Sequence, residues 1–218
     1  TFMALRGAVR RAASPLSPAR PPDANKNRGL QRILSEPRQT AAMIIVSYGT
    51  ADGIYARHLD RLDASCAAHG LRRDFRAIPP AGRIAACLQK PAFIRDMLAK
   101  HGEPVVWLDA DTVVNRAFAL PEGGWDVGLV PNTSWRKRRL RPVCAFVVAV
   151  APTEAARTFL ETWIHLCARP ELAPGRTDHG RLIWTREMQA GHYAECDLSR
   201  CLRRALTRDV GSRKERTI

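Results

Sequence analysis

Residues 105 to 114 read "VVWLDADTVV" and set two carboxylates inside an otherwise apolar run. Val105, Val106, Trp107 and Leu108 have the β-branched and aromatic character of a buried strand, and Val113 and Val114 continue it. An ionised carboxylate taken out of water costs several kcal/mol unless something compensates it. Two of them about 4 Å apart repel by roughly 4 kcal/mol at an effective dielectric near 20. Asp109 and Asp111 therefore require something cationic between them. In an extended strand residues i and i+2 share a face, so the pair can converge on one ion. Oxygen-only ligation suits Mg²⁺ or Mn²⁺. In open α/β sheets ligands bind beyond the carboxyl ends of the strands, and the pair sits towards that end. An ion held by only two carboxylates keeps positions for phosphate oxygens, which is how it stabilises a departing diphosphate. The competing reading of a bare D-x-D is a surface turn with solvated acids. The apolar flanks weigh against it, and no EF-hand pattern surrounds it.

Working outward, strand and helix signals alternate. "MIIVSYGT" begins the folded part with a short strand over Met43 to Val46 that Gly49 ends. Ile54, Leu59, Leu62, Cys66 and Ala67 recur near helical spacing, and Gly70 stops that helix. "RRDFRAIP" alternates like a strand. "KPAFIRDMLAKHG" predicts a helix with Pro91 at its start, Lys100 in its last turn and Gly102 after it. Strands follow at 105–111, in "WDVGLV" and in "VCAFVVAVAP". A helix then opens at Pro152 and Glu154, carries Phe159, Leu160, Trp163 and Ile164, and stops at Pro170. This alternation predicts an α/β sandwich with a mostly parallel sheet.

The flanks differ in composition. Residues 1–40 are rich in Arg, Ser, Pro and Ala with almost no acid, which predicts a disordered basic segment. They also resemble an organelle presequence, while Met43 reads equally as the start of the folded part. The expected domain spans 41–200, and 201–218 reads as a basic C-terminal tail. The 218 residues include 35 Lys and Arg against 21 Asp and Glu, a net charge of +14. That balance favours polyanionic partners, or else reflects a surface rich in solvated Arg. No apolar run approaches the roughly 20 residues that span a bilayer. Of six cysteines, Cys196 and Cys201 form a lone C-x4-C, too loose for a structural zinc site. The cysteine pattern fits a reducing interior, so a cytoplasmic location is expected.

"KPAFIRDMLAKHGEPVVWLDADTVV" resembles the core signature of GT-A nucleotide-sugar glycosyltransferases, in which a Lys-led helix precedes a strand ending in a DXD motif. "CAFVVAVAPTEAARTFLETW" and "RTDHGRLIW" resemble later segments of that family, so the likeness runs over about residues 43–193. It implies a Rossmann-like three-layer GT-A sandwich and Mn²⁺- or Mg²⁺-dependent transfer of a hexosyl group. The donor it implies is a nucleotide-diphosphate sugar, with UDP foremost, and the acceptor is left unnamed. By the same resemblance Ser47, Tyr48 and Gly49 hold the base, and Lys90 faces the nucleotide or its phosphates. Asp109 and Ala110 lie at the nucleotide sugar, and Asp109, Asp111 and a C-terminal His192 hold the metal. His192 reads equally as a solvated loop residue. "VCAFVV" lacks the small-residue start usual in the family.

Asp178 reads either as a catalytic carboxylate on the acceptor side or as a helix N-cap. Lys90 reads either as a loop cap or as an anion ligand, since a lysine at a helix N-terminus opposes the dipole. "SWRKRRLRP" packs five cations into six positions beside Trp135. Trp135, Arg136, Lys137, Arg138 and Arg139 are candidates for contact with an acceptor or polyanion such as modified DNA. An anionic lipid headgroup or a solvated loop are the other readings. Against the enzyme stands a non-enzymatic, basic nucleic-acid-binding protein on an α/β fold. A metal-dependent nuclease would want more carboxylates and a His near the pair.

Overall fold

A computed structural model describes residues 43–132, 141–173, 175–208 and 216–217. The N-terminal segment and the candidate contact residues Trp135 to Arg139 lie outside the described residues.

The chain order begins β1 (Ile44–Thr50), α1 (Gly53–Ala68), β2 (Arg73–Ile78), α2 (Arg83–Leu88), α3 (Lys90–His101) and β3 (Val105–Leu108). It continues with β4 (Thr112–Val114), β5 (Val127–Pro131), β6 (Val143–Val150), α4 (Glu154–Ala168) and α5 (Asp178–Met188). β7 (Glu195–Asp197), β8 (Leu206–Arg208) and β9 (Arg216–Thr217) close it. Six strands form one sheet in the order β2-β1-β3-β6-β5-β7. β1 runs parallel to β2 and β3, and β5 runs parallel to β7. β6 lies antiparallel to both β3 and β5, so it alone opposes the common direction. β4, β8 and β9 make a second, antiparallel sheet.

The period-2 pattern of the strands sends alternate residues to two cores. Ile44, Val46, Tyr48, Val105 and Trp107 join Ile94, Met97, Phe159, Leu160, Trp163 and Leu182 from α3, α4 and α5. Met43, Ile45, Val106 and Leu108 join Leu62 and Cys66 of α1, together with Phe118, Trp125, Leu198, Leu202 and Leu206. This is the expected three-layer arrangement. Its best-specified helix is α4, whose apolar positions recur along one stripe and are fully buried at Phe159, Leu160 and Trp163. Each such side chain contributes about 1.5–3 kcal/mol relative to exposure. Thr153 caps α4: its Oγ1 accepts from the Ala156 N–H at 3.2 Å and donates to Asp126 at 2.6 Å.

Two departures from the expected elements shape the site. β3 ends at Leu108, not at Asp111. The Thr112 N–H donates to the Asp109 carbonyl at 2.9 Å, closing a tight turn that carries the chain from the large sheet into β4. Asp109 and Asp111 are therefore brought together by a turn and not by the pleat of one strand. Secondly, the chain does not leave the fold at 201. Leu202, Ala205 and Leu206 are buried in the second core, and β8 pairs with β4, setting Arg208 opposite Thr112.

Candidate functional site

Five charged side chains alternate in sign at the carboxyl end of β3: Asp178, Lys90, Asp109, Arg208 and Asp111. Lys90 opens α3. Pro91 supplies no amide hydrogen for the preceding turn, which separates α2 from α3 at Gln89. The Lys90 ammonium lies 2.7 Å from Asp178 Oδ2. It donates to Asp109 Oδ1 at 2.9 Å and to the Ala145 carbonyl at 3.0 Å. Two hydrogen bonds and the ion pair with Asp178 surround the ammonium, and its side chain is only 6% exposed. Trp107 Nε1–H donates to the same Asp109 oxygen at 2.9 Å, and the Trp107 ring lies 5.1 Å beneath the ammonium.

Arg208 supplies the second cation. Its Nε and Nη2 donate to the two oxygens of Asp111 at 3.1 and 2.5 Å, a bidentate pair. Nη2 also stands 3.5 Å from Asp109 Oδ2. The guanidinium lies 5.2 Å from the Phe146 ring centre. Phe146 and the Ala145 carbonyl reach the site because β6 is irregular there. Leu129 pairs with Val148 but Val130 with Cys144, so β6 carries extra residues over this stretch. Bulges of this kind re-aim groups beside functional sites.

The electrostatics follow from these contacts. Burial pushes the Asp109 carboxyl up, but the Lys90 and Arg208 charges outweigh it and hold the group below the usual carboxylate range. Burial works to lower Lys90, and Asp109 with Asp178 more than reverses it, so the ammonium stays charged. Arg208 behaves likewise beside Asp109 and Asp111. Nearby, burial lowers His179, whose ring nitrogen donates to the Val143 carbonyl at 2.7 Å.

The other candidates fall as follows. Ser47 is fully buried and its hydroxyl donates to the Leu108 carbonyl at 2.7 Å, tying β1 to β3. Tyr48 packs edge-on to Phe93 and against Trp107, and its hydroxyl donates to the Ala86 carbonyl. Both side chains are committed to the fold; the backbone of this stretch pairs with β2, while the pairing of β1 with β3 ends at Val46. Gly49 meets the first turn of α1 so closely that a Cβ would lie 2.8 Å from the Tyr55 carbonyl oxygen. Ala110 sits in the turn, 7% exposed. Asp178 begins α5 one position after its N-cap, Thr177, so the capping reading fails. Its side chain, 5% exposed, faces Lys90. α2, bound to β1 through Tyr48, borders a shallow, open surface depression lined by Gly82, Arg83, Ile84, Ala85 and Leu88.

A divalent ion does not fit these residues as arranged. Asp109 Oδ1 already takes two donors, its Oδ2 faces Arg208, and both Asp111 oxygens hold Arg208. His192 is exposed in the turn after α5, and no group of three or more His, Cys, Asp or Glu among the described residues is placed to hold a metal. In this arrangement the cations that the acids meet are Lys90 and Arg208. Arg208 escaped the sequence reading. The acids signalled a cation, but 35 Lys and Arg gave no means of choosing it.

No family model matches the sequence, and no curated protein matches it. Solved structures do. A glycosyltransferase involved in the glycosylation of the major capsid of PBCV-1 aligns with a TM-score of 0.60 and 16% identity, over 79% of this chain and 95% of that one. The glycosyltransferase GlyE of Streptococcus pneumoniae TIGR4 aligns at 0.48 and 14%, over 72% of this chain and 46% of its own. With that coverage, this chain shares the α/β fold of the PBCV-1 glycosyltransferase.

Proposed function

We propose that the protein is a glycosyltransferase that takes a sugar, most simply a hexosyl group from a UDP-sugar, and moves it to an acceptor. One observation carries the reading: the alternating charges Asp178, Lys90, Asp109, Arg208 and Asp111 lie at the carboxyl end of a central strand, where α/β folds bind ligands. The fold shared with the PBCV-1 glycosyltransferase supports it. In this reading the backbone around Gly49 receives the base. The Asp109–Asp111 turn, locked by two cations, presents a fixed polar surface to the donor. Asp178 acts as a positioning residue, holding the Lys90 ammonium on Asp109; at its burial it meets no acceptor hydroxyl.

A thermal-shift panel of UDP-, GDP-, CDP- and TDP-sugars tests the proposal. A ligand at 100 times its dissociation constant adds about 2.7 kcal/mol of stability. At least one donor is expected to raise the melting temperature and to release its nucleotide diphosphate on incubation. A flat response to every donor, with tight and steeply salt-dependent DNA binding, would favour the nucleic-acid-binding alternative instead.

A further inference from the structure

We infer that Arg208 is the resident cation of the Asp109–Asp111 pair and receives the donor diphosphate itself, in the place where a divalent ion was expected; this rests on the donor-site reading above. Three independent contacts build the guanidinium into the site. It is bidentate on Asp111, it faces Asp109 Oδ2 at 3.5 Å, and it lies on the Phe146 ring. Its backbone is fixed as well, because β8 pairs with β4 immediately after the turn that carries both acids. A dication bound to the same oxygens would stand within a few ångströms of the guanidinium and the Lys90 ammonium and be repelled by both.

The guanidinium also keeps capacity for a ligand. Of its five N–H donors, those on Nε and Nη2 serve the carboxylates, and Nη1 has no partner among the described residues. The side chain remains 34% exposed, against 6% for Lys90. Of the two cations in the cluster, Arg208 is therefore the one that a phosphate oxygen can reach. A planar guanidinium anchored on one edge by carboxylates and open on another suits a diphosphate, which it meets through charge-assisted hydrogen bonds.

The experiment is calorimetric titration of the full chain with UDP, GDP, CDP and TDP, once with EDTA and once with millimolar Mn²⁺. The wild-type protein is expected to bind at least one of them in EDTA, with affinity unchanged within about twofold by Mn²⁺. Arg208→Gln should weaken that binding by about tenfold or more, and Arg208→Lys, which keeps the charge but loses the fork, should weaken it less. Binding that appears only with Mn²⁺ would overturn the inference while leaving the donor site in place. Equal affinity of wild type and Arg208→Gln in EDTA would overturn it too. No binding under either condition would remove the donor-site reading and the inference together. The wild-type comparison uses no variant, so a substitution that disturbs folding does not decide the result.

Discussion

Lys90 is the residue on which the buried charges depend. Removing one partner of a buried ion pair leaves the other uncompensated and costs about 3–5 kcal/mol. Lys90→Met strands Asp178 and halves the support of Asp109, so a loss in that range is expected in urea unfolding. Adding Asp178→Asn to Lys90→Met should recover part of it, because a neutral amide removes the orphaned charge. Acid sensitivity follows from the same contacts. The folded pKa of Asp109 lies below its unfolded value of about 3.9, so its contribution is fully present above that value. It disappears as pH falls from there through the lower folded pKa. Stability should therefore climb with pH across the acid range, and Asp109→Asn should flatten that climb. At this scale the acids were legible because a charge in an apolar run is a local anomaly, and Lys90 because a lysine at a helix N-terminus opposes the dipole. Arg208 was not, because it lies 97 positions beyond Asp111 in a stretch that reads as a basic C-terminal tail.

Helices α1, α3 and α4 could be read from sequence because their signals are local: apolar spacing, Pro91 at a start, and Gly102 in the left-handed region at a stop. The turn after β3 could not. Whether the chain runs straight through Asp109–Asp111 depends on Thr112–Val114 finding β8, a pairing that no window of sequence contains. The β6 irregularity has the same origin, since it is defined only against β5. Two changes probe these junctions. Gly49→Ala places a Cβ 2.8 Å from the Tyr55 carbonyl oxygen, a backbone atom at the start of α1 that cannot swing aside. A loss of about 1–3 kcal/mol is expected in chemical denaturation. Ending the chain at Ala205 removes β8 and the fully buried Leu206, and leaves Asp111 without its guanidinium. A dispensable tail would leave the melting temperature unchanged. The structure predicts a fall corresponding to about 2 kcal/mol or more, from Leu206 alone.

Across the whole molecule the charge is +14, yet the cluster at β3 counts three carboxylates against two cations. The basic excess therefore lies elsewhere, and it bears on a different partner from the donor. Salt separates the two. A nucleotide diphosphate held by one guanidinium loses little affinity as ionic strength rises, since few counterions are exchanged. A polyanion gripped by the five cations of "RKRRLR", residues 136–141, releases a counterion for nearly every phosphate neutralised. Duplex DNA binding should then show a slope of about −4 to −5 in log affinity against log salt. Replacing Arg136, Lys137, Arg138 and Arg139 with Gln should bring that slope close to −1 and leave diphosphate binding unchanged. A shallow slope in the parent protein would remove residues 136–141 as a polyanion contact and leave the acceptor uncharged, while a slope that survives the four replacements would move the polyanion contact to other arginines.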